Sequence, residues 1–115
     1  MADLLVDTDV FVDHVRGARA LTPGQNRLSY SVITRFELFA GNRADEEVLR
    51  TLLGPFRELA VDHAVAERAG RFRRAAGLLA PDALIAATAL HHGLTLMTRN
   101  RHHFDGLPGL RLRTP

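Results

Sequence analysis

The chain contains no cysteine, no tryptophan and no lysine, and each absence removes a class of site. Without cysteine, neither a disulfide framework nor a thiolate metal site can form. With no tryptophan and a single tyrosine, an aromatic platform for stacking nucleic-acid bases is disfavoured. The missing lysine and the lack of a glycine-rich loop also argue against a hydrolase that grips phosphate in that way.

Long hydrophobic runs are missing as well, and their absence argues against a membrane-spanning protein. No apolar stretch approaches the roughly 20 residues of a membrane span, and the chain opens with Met1-Ala2-Asp3 rather than a basic leader. A cytoplasmic protein with no membrane partner is therefore expected. A chain of 115 residues, of which 46% are hydrophobic, predicts one domain covering 1–115.

A strong excess of charge is also missing. The 15 basic residues, all arginine, stand against 13 acidic residues, so the formal net charge is only +2. Most of the arginines are interpreted as solvated surface or ion-pair residues. Two clusters are dense enough to suggest a surface that contacts phosphate, namely Arg71-Phe72-Arg73-Arg74 and Arg99-Asn100-Arg101-His102-His103.

Predicted strands and helices alternate along the chain. Strands are predicted at 2–6, 28–32, 56–61, 94–98 and 110–112, from short apolar or alternating runs. Helices are predicted at about 8–15, 33–40, 45–53, 62–76 and 82–91, several with a capping residue in front. This alternation predicts an α/β fold with a central, mostly parallel sheet covered by helices on both sides.

Three acidic residues interrupt or end otherwise apolar segments. Asp7 closes the run Leu4-Leu5-Val6, Glu37 lies within an apolar helix, and Asp82 opens another. A carboxylate in apolar surroundings is costly unless it is paired, protonated or bound to a metal. Because functional groups of parallel sheets collect beyond the carboxyl ends of the strands, the three acids are predicted to share a cation there.

Four stretches, in this order, resemble the PIN-domain ribonucleases, and among them the VapC-like toxins of bacterial and archaeal toxin–antitoxin pairs. The stretches span nearly the whole chain and are LLVDTDVF from Leu4, TRFELFAG from Thr34, PDALIAATAL from Pro81 and HGLTLMTRNRHHF from His92. The resemblance implies a three-layer PIN-like fold and the hydrolysis of RNA phosphodiesters with Mg²⁺ or Mn²⁺. It also implies a homodimer and a cognate antitoxin whose C-terminal segment covers the acidic cleft.

The resemblance assigns roles to individual residues. The family's catalytic, metal-binding acids correspond to Asp7, Glu37 and Asp82. Carboxylate oxygens suit hard divalent ions such as Mg²⁺. The remaining assignments are supporting or substrate-contacting, and they are Thr8 and Thr98 for orienting ligands or waters, and Arg99 or Arg101 for contacting substrate phosphate.

One position departs from the family's pattern. Many members carry a fourth acid after the last strand of the site, where this chain has Asn100. Asp9, where relatives often have a neutral residue, is a candidate to restore the lost charge. We therefore expect one well-held ion rather than two, with Asn100 and Asp9 both in supporting positions.

Structural explanations compete with each functional one. The three acids could be helix caps or partners of Arg35 or Arg99, and Asp9 could equally be a cap for the first helix. Asp13 is expected in an exposed ion pair with Arg16. At the level of function, the alternative is a catalytically weak PIN-fold RNA-binding or regulatory module.

Assignments of buried and exposed side chains complete the prediction. Val15 is expected to face the core, and Leu38 is expected on an exposed apolar surface that a partner covers. No histidine spacing suits a zinc site. The histidines are therefore expected at solvated helix ends, and His102 or His103 is a candidate to touch RNA. Four phenylalanines are assigned to the core rather than to base stacking, namely Phe11, Phe36, Phe39 and Phe104.

Overall fold

Five parallel strands lie side by side in one sheet, in a computed structural model that describes residues 1–115. The strands are β1 (Asp3–Val6), β2 (Arg27–Ser31), β3 (Arg57–Leu59), β4 (Thr95–Met97) and β5 (Leu112–Arg113). The helices are α1 (Thr8–Val15), α2 (Val32–Phe39), α3 (Glu46–Leu53), α4 (His63–Ala76) and α5 (Ala80–His91), and a short 3-10 helix (Arg101–Phe104) follows β4. The strand order is β3-β2-β1-β4-β5.

β1 is the central strand and is buried on both sides. Leu5 pairs in register with Ser29 of β2 and with Leu96 of β4. Leu5 contributes to one hydrophobic cluster, whereas Leu4 and Val6 contribute to another on the opposite face. A strand of a parallel sheet that is covered twice reads as a continuous apolar run, which is what the sequence of β1 shows.

The two clusters define three layers. One cluster contains buried residues of α4 and α5, and the other contains buried residues of α1 and α3. The predicted α/β architecture, a parallel sheet flanked by helices, is thus confirmed. None of the helices combines the length and the apolar character needed to cross a membrane.

Helix boundaries follow capping chemistry, with two differences from the prediction. Asp62 caps α4 by accepting a hydrogen bond from the Val65 amide, as expected. For α1, however, the N-cap is Asp7 rather than Thr8 or Asp9. For α5 the N-cap is Leu79, which makes no side-chain capping bond, so capping does not account for Asp82.

Several burial assignments were wrong, and most of them lie on α1 and α2. Val15 is 47% exposed and Phe36 is 64% exposed, although both were expected to face the core. Leu38, expected to be exposed, is buried, with 8% of its surface exposed. The reason is that α2 contacts both clusters: Ile33 packs against one and Leu38 belongs to the other. A single apolar stripe therefore does not describe this helix.

Candidate active site

The three predicted acids lie at the carboxyl-terminal edge of the sheet. Asp7 directly follows β1, and Glu37 lies on α2, which begins immediately after β2. Asp82 is the third residue of α5. Thr98, which follows β4, reaches the same edge because β1 and β4 run side by side in parallel. Residues far apart in the chain are thus brought to one place by the sheet.

Asp7 is the most deeply buried of these acids, with 6% of its surface exposed. Its Oδ1 accepts a hydrogen bond from the Thr8 amide at 2.8 Å, and its Oδ2 accepts one from the Thr98 hydroxyl at 2.8 Å. Burial, with the charge of Asp9 next and that of Asp82 last, raises the pKa of Asp7 to about 7. The two hydrogen bonds act in the opposite direction without outweighing burial.

Glu37 is held by a chain of hydroxyl groups. The Thr8 Oγ1 lies 2.7 Å from Glu37 Oε1 and 3.0 Å from the Thr34 Oγ1. A threonine hydroxyl has one proton and two acceptor positions, so Thr8 donates to the carboxylate and accepts from Thr34. Burial, followed by the charges of Asp82 and Asp9, raises the pKa of Glu37.

Asp9 belongs to the same cluster and does not cap a helix. Its Oδ2 accepts a hydrogen bond from the Asn100 side-chain amide at 2.9 Å and lies 3.3 Å from the Thr98 hydroxyl. The Arg99 amide donates to Asp9 Oδ1 at 3.4 Å. Asn100 stands where many family members have a fourth acid, and Asp9 was expected to restore that charge. The two residues are in direct contact.

Asp82 is half-buried and takes no part in the hydrogen bonds that hold the other acids. Its Oδ2 lies 3.9 Å from Nδ1 of His103, which the 3-10 helix carries. Burial raises the pKa of Asp82, the charge of Asp9 adds to the effect, and His103 opposes it. Both oxygen atoms of Asp82 are thus free of hydrogen bonds within the protein, and His103 is the one basic side chain within 4 Å of them.

The ion-pair explanation for the acids does not hold. Arg35 pairs with Glu58, and Arg99 pairs with Asp13 at 2.7 Å; no arginine pairs with the predicted acids. Asp13 was expected in an exposed ion pair with Arg16. Instead only 8% of its surface is exposed, and its partner is Arg99. The Arg99 side chain consequently ties the segment after β4 to α1.

The cluster suits a divalent cation in its chemistry, but its side chains do not close around one. No group of three or more histidine, aspartate or glutamate side chains stands close enough together to hold a metal ion as placed. The donors are all oxygen atoms, as Mg²⁺ and Mn²⁺ prefer. Burial, and then the charges of neighbouring acids, raise the pKa of Asp7, Glu37 and Asp82, and a bound cation would stabilise their charged forms.

Two contacts of the site were not foreseen. The hydroxyl of Thr34, fully buried, supports Thr8, and His103 lies beside Asp82. A signal for Thr34 exists in the sequence, because it precedes Glu37 by three residues and therefore shares its helix face. His103 was considered only as an RNA contact. Arg101 is exposed and forms no ion pair.

Replacing Thr8 with valine tests the hydroxyl chain. The change frees Glu37 Oε1 and leaves the Thr34 hydroxyl without its partner, so the free energy of unfolding should fall by about 1–3 kcal/mol. If Glu37 acts in catalysis, activity should fall about 10–100-fold, as for other groups that orient ligands. Thermal unfolding and RNA cleavage measure the two effects. Thr8→Ser, which keeps the hydroxyl, should stay near wild type, and a fully active Thr8→Val would contradict the role.

Nearly the whole chain is similar in sequence to known proteins. A family model described as PIN domain matches residues 4–110. Ribonuclease VapC10 of Mycobacterium tuberculosis is 39% identical over 114 residues, covering 88% of this chain and 85% of the relative. Ribonuclease VapC19 of the same species is 33% identical over 120 residues, covering 93% and 96%. In a solved toxin-antitoxin complex from Klebsiella pneumoniae, one chain is 34% identical with a TM-score of 0.72, covering 93% of this chain and 94% of that one.

Proposed function

Because the chain belongs to the PIN-domain family, we propose that it is an endoribonuclease and the toxin of a toxin–antitoxin pair. The observation that carries the proposal is the cluster of buried and half-buried acids at the carboxyl-terminal edge of the sheet, which no arginine neutralises. Sequence identities of 39% and 33% to two proteins named ribonucleases support the cleavage of RNA as the reaction. Cytoplasmic RNA is the substrate that such an enzyme would meet.

Asp7, Glu37 and Asp82 would hold a Mg²⁺ or Mn²⁺ ion, with Asp9 adding negative charge beside them. When bound, such an ion supplies an activated water and neutralises charge on the phosphate as the phosphodiester breaks. The all-oxygen donor set and the raised pKa values support this assignment. The side chains must shift to enclose the ion, since no three groups stand close enough as placed.

The other residues of the site would keep these acids in position. Thr98 donates to Asp7, and Thr8 donates to Glu37, so both hydroxyls fix the orientation of a carboxylate. Arg101 is exposed and free of carboxylate partners, which suits contact with substrate phosphate. Arg99 pairs with Asp13 and remains 54% exposed, so it would contact phosphate only from within that pair.

A cognate antitoxin and a second copy of the chain are the expected protein partners. The likeness to a chain of a toxin-antitoxin complex supports the first. A groove of about 680 Å³ beside α1, α2 and α3 offers apolar side chains, among them Val15 and Val48, which are 47% and 49% exposed. An apolar segment of an antitoxin would cover such side chains.

The alternative is a catalytically weak module that binds RNA. It is favoured by one observation, the amide of Asn100 where a fourth acid is common, which lowers the charge available to a metal. Asp9, held by that same amide at 2.9 Å, offsets this loss. The ribonuclease is therefore the better-supported proposal.

Metal removal should distinguish the metal-dependent ribonuclease from the module that only binds RNA. The free protein should cleave RNA in Mg²⁺ or Mn²⁺, lose cleavage in a chelator and regain it on metal addition. At a metal concentration 100 times the Kd, the free energy of unfolding should rise by about 2.7 kcal/mol. Cleavage measurements and thermal unfolding, each with and without metal, test this. RNA binding without cleavage at any metal concentration would favour the alternative.

A further inference from the structure

One arginine cluster is not used by the site described above, and it lies on α4. Arg68, Arg71 and Arg74 follow one another at three-residue spacing, which makes successive members neighbours on the helix surface. Arg71 and Arg74 are exposed, and Arg68 is partly so. The core side of the helix carries Val65 and Ala69 instead. These three arginines are called the α4 arginine stripe below.

The stripe forms no ion pair within the chain. The arginine ion pairs of the protein involve Arg27, Arg35, Arg50 and Arg99, and none involves the stripe. Glu67, four residues before Arg71, is in reach by spacing but forms no ion pair. Like charges three residues apart destabilise a helix. A stripe of three therefore favours an external polyanion.

Stabilisation of the helix end accounts for Arg74 alone among the members of the stripe, because only Arg74 lies in the last turn of α4. Cations favour the C-terminus of a helix, but the effect is confined to the last turn. Arg73 shares that turn with Arg74, and its Nη1 donates to the Leu78 carbonyl at 2.9 Å. Arg68 lies eight residues before the end of α4 at Ala76, which is more than two turns away.

The stripe runs towards the acidic cleft. α4 is joined to α5 by residues 77–79 only, so the last residue of α4 and the first of α5 lie at most about 14 Å apart. The two helices pack against each other, so the C-terminal end of α4 lies near the first turn of α5. That first turn carries Asp82, which also faces His103 of the 3-10 helix.

We propose that the stripe binds the phosphate backbone of the single-stranded RNA substrate next to the cleft. This inference rests on the proposed function. The cleft holds Asp7, Asp9, Glu37 and Asp82, whose charges repel RNA, so affinity has to come from cations outside it. Arg101 on the 3-10 helix and the stripe on α4 are two such groups, and Asp82 neighbours the segments that carry them. An RNA strand lying across the cleft would meet both.

The test compares two double variants with the same change in charge. R71Q/R74Q removes two members of the stripe. R27Q/R57Q removes two arginines at the amino-terminal ends of β2 and β3, which is the opposite edge of the sheet. Binding of a fluorescent single-stranded RNA of about 16 nucleotides, the upper site size of non-specific binders, is measured in chelator across salt concentrations. Thermal unfolding checks that both variants are folded.

R71Q/R74Q should weaken binding roughly 10-fold and flatten the slope of log Kd against log salt by about 1.4, since each single-strand phosphate contact contributes about 0.7. R27Q/R57Q should stay near wild type. With metal, R71Q/R74Q should raise KM for the long RNA, while cleavage of a dinucleotide, whose single phosphodiester occupies the cleft and leaves no phosphate for the stripe, stays unchanged.

Equal binding by the two double variants would overturn the inference. So would unchanged RNA binding by R71Q/R74Q together with weaker binding of the antitoxin, because the stripe would then serve an acidic protein segment. If the wild type binds RNA through the stripe but never cleaves it, the inference stands and the proposed enzymatic function fails.

Discussion

Replacing Asp7 with asparagine should reduce RNA cleavage at least about 100-fold while raising the melting temperature of the metal-free protein near pH 8. The loss of activity follows if Asp7 holds the ion, because residues that only orient such ligands already contribute 10–100-fold. The gain in stability follows from burial. Asp7 is 6% exposed, and its pKa is raised to about 7. Its charged form is therefore disfavoured in the folded protein.

The same shift predicts how stability depends on pH without metal. Between the unfolded value of 3.8 and the folded value of about 7, the folded chain binds more protons at Asp7 than the unfolded chain does. The free energy of unfolding should therefore fall as pH rises through this window, by about 4 kcal/mol from Asp7 alone. Thermal unfolding at pH 4 to 8 in chelator measures the slope, which Asp7→Asn should largely remove.

Asp3→Asn is the matched control, because Asp3 is an exposed acid at the other end of β1. It should leave both cleavage and the pH dependence near wild type. If Asp7→Asn unfolds the protein and metal never changes the melting temperature of the wild type, the Asp7 carboxylate is structural and the metal assignment fails.

Replacing Asn100 with aspartate should have two effects of opposite sign. Asn100 donates to Asp9 Oδ2 at 2.9 Å, so the new carboxylate would lose this bond and face a like charge. Without metal, the free energy of unfolding should fall by about 1–3 kcal/mol. With Mg²⁺ or Mn²⁺, the added anion should strengthen binding. The metal-induced rise in melting temperature should consequently exceed that of the wild type.

Asn100→Ala separates the lost hydrogen bond from the added charge. It should destabilise the metal-free protein less than Asn100→Asp does and should not increase the response to metal. Thermal unfolding over a metal titration compares the three proteins. An identical metal response in wild type and Asn100→Asp would place residue 100 outside the ion's reach and leave Asp9 as the fourth acid.

The sequence was informative where an acid breaks an apolar run. Asp7, Glu37 and Asp82 were selected on that pattern, and the structure brings them to one edge of the sheet. Their roles in catalysis and metal binding remain predictions. The alternation of strands and helices was sufficient to predict the parallel sheet, because connections between parallel strands need helices.

The contacts between the residues of the site could not be predicted from the sequence. Nothing local indicates that Thr98 bonds to Asp7, 91 residues away, or that Asn100 bonds to Asp9. These contacts depend on the strand order, which places β4 beside β1. Phe36 was misplaced for a related reason, since the face of α2 that is buried depends on which layers the helix contacts.

The central position of β1 has a consequence for synthesis on the ribosome. Its neighbour on one side, β4, begins only at Thr95, so one edge of β1 stays unpaired until most of the chain has been made. Domains of this size fold as units as the chain emerges. A nascent chain that ends within α5 lacks Thr98 and Asn100, and the contacts of Asp7 and Asp9 with them cannot form. The arrangement of acids is therefore among the last features to be completed during translation.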